Sequence, residues 1–160
     1  MHARLASWFS AGALFALGCG SSDKTGMMAH TFAVTLTANQ ENPRCPDAGP
    51  TAAGSATVIV NDTQVIVNDF TWSGLSGPAT AAHVHLGQAN VAGSIVLTFA
   101  LNPQSGISKT FVAADYPTMP MPDQPPNFDG LLPLIRGGGT YLNVHTSICS
   151  AGEIRGQIGP

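Results

Sequence analysis

Charge is what this chain has least of. Asp, Glu, Lys and Arg together make up 9% of its 160 residues, and aromatic residues only 7%. The formal net charge of −3 leaves no basic stripe, which removes the electrostatic basis for nucleic-acid binding. Beyond the N-terminal leader, no apolar run is long enough to span a bilayer as a helix. Gly-x-Ser-x-Gly elbows, P-loops and dinucleotide fingerprints are all missing, and so is Cys-x-x-Cys spacing. What is abundant is turn and strand chemistry: 18 glycines, 12 prolines and much Thr, Val, Ala and Asn. The length allows one domain with a proper core.

The first residues read as a leader rather than as fold. Arg4 gives a positive start, Leu5 to Leu17 a short apolar core, and small residues lead to Cys19. Ala16-Leu17-Gly18-Cys19 resembles a bacterial lipobox, in which the cysteine is lipidated and becomes the new N-terminus. Gly20 after it resembles the outer-membrane sorting pattern of Gram-negative lipoproteins. The expected organisation is a signal peptide over 1–18, a polar tether over 19–29 and one domain over 30–160, with the membrane as a partner through the lipid on Cys19. Export places the remaining two cysteines, Cys45 and Cys149, in an oxidising compartment, and a disulfide between them is expected.

Along the domain, Phe32, Val34 and Leu36 alternate with smaller residues, as in a half-buried strand. Val58-Ile59-Val60-Asn61-Asp62 recurs as Val65-Ile66-Val67-Asn68-Asp69, and β-branched triplets separated by a polar turn predict a hairpin. Further strands are predicted over Thr80–Leu86, Gly93–Leu101, Ile107–Val112, Thr140–Thr146 and Glu153–Ile158. Tyr116 to Asn127, with its prolines, reads as an ordered surface loop, and Asp129–Arg136 as a single helical turn or an extended crossing. Seven or eight short antiparallel strands imply an all-β sandwich with Greek-key connections, superoxide-dismutase-like or immunoglobulin-like.

The chemistry concentrates in three histidines. His83 and His85 share one face of a predicted strand because side chains alternate with period two, and His145 lies on another strand. These segments belong to an ordered series: Gln40-Glu41-Asn42-Pro43, Gly74-Leu75-Ser76-Gly77-Pro78, Ala82-His83-Val84-His85-Leu86-Gly87, Gly139 to Thr146, and Gly152-Glu153-Ile154-Arg155-Gly156-Gln157-Ile158. The series resembles the CHRD domain, named for chordin and present in many exported bacterial proteins. The resemblance covers about residues 30–160 and implies a fold and an exported location, with no established chemistry. Chordins accompany the domain with cysteine-rich modules that bind bone morphogenetic proteins; those modules are missing here, so that activity is not carried over.

Two readings of the histidines stand side by side. His83, His85 and His145 also resemble, in order and strand context, the copper-binding trio of Cu/Zn superoxide dismutases. The zinc half of such a site is missing, so copper alone, in a copper-only chemistry, is the cofactor this reading implies. Met27, Met28, Met119 and Met121 offer soft ligands but lie in a tail and a Pro-rich loop. The other reading is a structural polar network in which Glu41, Asn143, Glu153 and Arg155 satisfy one another and the imidazoles, with Glu153 and Arg155 as an ion pair and no cofactor or catalytic residue. Three histidines without their outer hydrogen bonds do not diagnose a metal, which favours the network and a cell-envelope binding or structural module.

Overall fold

The computed structural model describes residues 28–159. The leader, Cys19 and nearly all of the tether lie outside the described residues. Eight antiparallel strands form one sheet: β1 (His30–Thr37), β2 (Ala53–Val60), β3 (Val65–Ser73), β4 (Ala79–Leu86), β5 (Ile95–Thr98), β6 (Ile107–Phe111), β7 (Thr140–Thr146) and β8 (Ile154–Ile158). Their order is β5-β4-β7-β8-β1-β2-β3-β6. The two four-stranded halves meet at one register pair, Thr37 with Arg155. The nearly closed sheet is sandwich-like, and Lys109 on β6 donates to the Thr98 carbonyl of β5 across its open edges at 3.0 Å.

The predicted repeat forms the β2–β3 hairpin, with Val60 opposite Val65. Asn61 Oδ1 accepts from the Thr63 N–H at 2.9 Å and closes the turn. The second Asn-Asp copy breaks the strand in another way. Registers with both neighbouring strands shift around Asp69, which adopts a φ of 50°. That bulge changes the parity of β3, so Val65 and Val67 face the core before it and Phe70 after it. Phe70, Phe99 and Phe111 then pack edge to face in the interior, with centroids 5.3 and 5.1 Å apart.

The structure moves several sequence-based boundaries: β4 starts one residue earlier than predicted, at Ala79, and β6 ends one residue earlier, at Phe111. The strand predicted over Gly93–Leu101 contracts to Ile95–Thr98, and β8 begins at Ile154 rather than Glu153. Phe128–Arg136 is a nine-residue α-helix, α1, and no mere turn. Asn127 Oδ1 caps it by accepting from the Gly130 N–H at 2.9 Å, Asp129 lies in its first turn and Arg136 in its last. Pro133 removes one helical hydrogen bond, but Phe128, Leu131, Leu132 and Ile135 bury against the core and hold the helix in place. Among the described residues no helix is long and apolar enough to cross a membrane.

The alternation of β4 and β7 positions the chemistry. Ala82, Val84, Leu142 and Val144 are wholly buried in the core, so His83, His85, Tyr141, Asn143 and His145 stand on the opposite, outer face. Segments 39–50, 87–94 and 147–152 fold over that face. The Cys45–Cys149 disulfide joins the first of these segments to the third.

Candidate metal centre

Register brings the three imidazoles together. His83 lies opposite Asn143 and His85 opposite Tyr141, while His145 faces Ala81, diagonal to His83. One ring nitrogen from each of His83, His85 and His145 lies within 4.8 Å of the others. His85 and His145 are buried and His83 is half-buried.

The other ring nitrogens decide the tautomers. His85 Nδ1 lies 2.9 Å from the Gly93 carbonyl, and His145 Nδ1 lies 3.0 Å from the Ser150 carbonyl. A carbonyl only accepts, so both Nδ1 atoms carry the proton and both Nε2 atoms keep a free lone pair. His145 Nε2 accepts from His83 Nδ1 at 3.0 Å. His85 Nε2 is buried and has no partner. Moving the His83 proton from Nδ1 to Nε2 would direct three neutral lone pairs, His83 Nδ1, His85 Nε2 and His145 Nε2, at one another. Burial, with contributions from neighbouring imidazoles, holds His83 and His85 down at about 4, and burial also lowers His145. All three are therefore neutral, the ligand form, at physiological pH.

The residues fit a transition metal by an internal criterion. An unpaired buried acceptor costs about 1–3 kcal/mol, and a closed polar network would have satisfied it. Nδ1–H bonds to backbone carbonyls are the outer contacts that orient metal-ligating histidines. Three imidazoles with an open position suit Cu or Zn. Among the candidate soft ligands, Met28 and Met119 are largely exposed at 77% and 88%, and Met121 at 51%. Met27 lies outside the described residues.

The four polar residues expected to form one network divide into separate sets. The side chain of Asn143 donates to Glu41, and Asn143 Oδ1 is left without a partner. Gly152 permits this contact: it has a φ of +135°, and a Cβ there would collide with Asn143 Nδ2 and with Glu41 Oε2. Glu153 and Arg155 do not pair, because the loops over the sheet give them different neighbours. Glu153 accepts from the Gly49 N–H at 2.9 Å, the Ser76 N–H and hydroxyl at 2.6 Å each, and the Thr146 hydroxyl at 2.6 Å. Arg155 donates to the Gln88 and Val91 carbonyls at 2.7 and 2.9 Å and to Gln157 Oε1 at 3.1 Å. Nothing in the sequence marks Gln88 and Val91 as partners of Arg155; Gly87, whose φ of +135° favours glycine just after the His-x-His strand, is the one local sign of the turn that carries them.

Burial pushes Glu153 up, but its four donors outweigh that and hold it below the ordinary carboxylate range. Its contribution to stability is therefore present above pH 4.5 and lost as the pH falls through its lower folded-state value. Glu153→Gln turns an acceptor into a donor facing donors. Urea unfolding at pH 7 is expected to show a loss of about 3 kcal/mol, and the variant should lack this part of the acid-side decline.

Glu41 behaves oppositely. Burial raises it to about 7, against the lowering effects of Arg155 and of the Asn143 hydrogen bond. A raised carboxylate contributes stability that is full below pH 4.5 and is lost as the pH rises through about 7. The histidines titrate over part of the same window with the opposite sign, so the difference between wild type and Glu41→Gln isolates the carboxylate. Relative to wild type, the variant should gain up to about 3 kcal/mol between pH 4.5 and 8. Denaturant unfolding of both proteins across that range checks it.

The family model described as the CHRD domain matches residues 32–158. No curated protein and no solved structure matches.

Proposed function

The chain belongs to the CHRD domain family, and we propose that it is an exported, lipid-anchored binding module of the cell envelope whose ligand is a transition-metal ion, copper foremost, held by His83, His85 and His145. The observation that carries this reading is the buried, unpartnered Nε2 of His85 beside two imidazoles, with His85 and His145 both oriented by backbone carbonyls. Copper bound there would supply a one-electron centre. The protein contributes three oriented neutral nitrogens and a half-buried side, at His83, nearest to solvent. That opening is what superoxide dismutase-like chemistry would need.

Export and anchoring rest on the leader and on the Ala16-Leu17-Gly18-Cys19 pattern, with the disulfide in keeping with an oxidising compartment. The outer membrane of a Gram-negative envelope is the proposed location, with acylated Cys19 as the membrane contact.

The test expresses the full chain with its leader in a Gram-negative host under copper-replete conditions. Stoichiometric copper retained after exhaustive dialysis of the detergent-extracted protein is expected, and its absence sinks the metal reading. Radiolabelled fatty acid should label the wild type and not Cys19→Ser; equal labelling sinks the anchor.

A further inference from the structure

Beneath the histidine trio lies a second structure that metal ligation alone does not require. The His85 and Tyr141 rings stack with centroids 5.0 Å apart and planes 11° from parallel. On the Tyr141 ring rests the Arg155 guanidinium, its Cζ 3.5 Å from the centroid. Imidazole, phenol and guanidinium therefore stand in three consecutive layers, with the metal-facing nitrogen on the first. Arg155 is 1% exposed, and its three partners, two carbonyls and an amide oxygen, are neutral. Among the described residues no carboxylate lies within 4.0 Å of its guanidinium nitrogens. The Tyr141 hydroxyl accepts from the Gly93 N–H at 3.3 Å, and the Gly93 carbonyl in turn holds His85.

A buried guanidinium without a direct counter-ion is costly, and a neutral amide could serve the same loop carbonyls. Its charge acts over short distance through a medium of low dielectric, where such effects are strongest. Glu41 is an opposing charge that interacts with Arg155 through space and is joined to β7 through Asn143.

Resting on the metal-binding reading above, we infer that Arg155, acting through the Tyr141–His85 stack, sets the charge-state preference of the bound metal. It favours Cu(I) over Cu(II), and Glu41 opposes it. Reduction adds one electron to Cu(II), supplied by an external one-electron reductant, and lowers the charge of the site by one. The three imidazoles keep their nitrogens directed at the metal, and no bond in the protein forms or breaks. Arg155 and Glu41 are positioning and electrostatic residues in this account, since neither is a ligand.

The experiment measures Cu(I) and Cu(II) affinities of the full chain by competition with chelators selective for each state, together with the midpoint potential. It is run at pH 8.5, where Glu41, raised to about 7, is ionised. Arg155→Gln is expected to shift the ratio of the two affinities about tenfold toward Cu(II), a fall of about 59 mV in potential. Glu41→Gln keeps the acceptor for Asn143 and is expected to shift the ratio in the opposite direction. Loosening of the fold would move both variants the same way, so shifts of equal sign overturn the inference. Should Arg155→Gln fail to fold, an unchanged ratio in Glu41→Gln overturns it alone. A wild-type chain that binds no copper overturns the metal reading and this inference with it, whereas tight copper with unchanged ratios overturns only the inference.

Discussion

Replacing His85 with alanine is expected to weaken copper binding more than the roughly 10–100-fold that loss of an outer hydrogen-bond partner costs. The side chain provides the one metal-facing nitrogen that nothing else in the protein satisfies. Its removal also leaves the Gly93 carbonyl without its donor and Tyr141 without its stacking partner. Those two losses should destabilise the metal-free domain by only about 1–3 kcal/mol. The two readings of the cluster therefore diverge on this variant. A metal site predicts a large fall in copper affinity with a modest loss of apo stability. A purely structural network predicts a loss of stability and no copper effect, because no stoichiometric copper binding would exist to lose. Competition titration and urea unfolding of the same preparation distinguish them.

The largest change in stability is expected from the disulfide. Cys45 and Cys149 are 104 residues apart, and opening a loop of that size restores unfolded-state entropy worth on the order of 4–5 kcal/mol. The loss should be felt at the outer face of the sheet. Cys149 is buried, and its carbonyl accepts from the N–H groups of Thr146 and Gly152. Ser150, the next residue, provides the carbonyl that orients His145. Cys45→Ser with Cys149→Ser should therefore lower the denaturation midpoint sharply. A shift below about 1 kcal/mol would contradict the assignment of the bond as a principal clamp. Denaturant unfolding of the double variant beside the oxidised wild type measures it.

The legible parts of the molecule were those in which a short-range pattern carries the whole instruction. The Val58/Val65 hairpin follows from β-branched triplets separated by a polar turn, and Thr140–Thr146 from a strand-forming run opened by Gly137-Gly138-Gly139; both form as strands. Period-two alternation was enough to put His83 and His85 on one face. It could not say whether that face looked inward or outward. The core took Ala82 and Val84, and three loops covered the other side, burying His85 and His145 and leaving His83 half-buried. The helix at Phe128–Arg136 was obscured by Gly130 and Pro133, although Asn127, Asp129 and Arg136 mark its ends. Glu153 and Arg155 illustrate the deeper limit. Two residues apart on one face, they suggest a pair, yet Gly49 and Ser76 claim the carboxylate and Gln88 and Val91 the guanidinium. Such partners come from chain more than 60 residues away, beyond the reach of any pattern local to Glu153 and Arg155.

One metal ion held by the three imidazole nitrogens would be located outright by anomalous diffraction from crystals of the copper-loaded domain. A single copper peak is expected at about 2 Å from His83 Nδ1, His85 Nε2 and His145 Nε2, with the Gly93 and Ser150 carbonyls still holding the two Nδ1–H groups. Copper at any other residues, or a copper-replete crystal in which His83 Nδ1 still donates to His145 Nε2 with no metal between them, would contradict it.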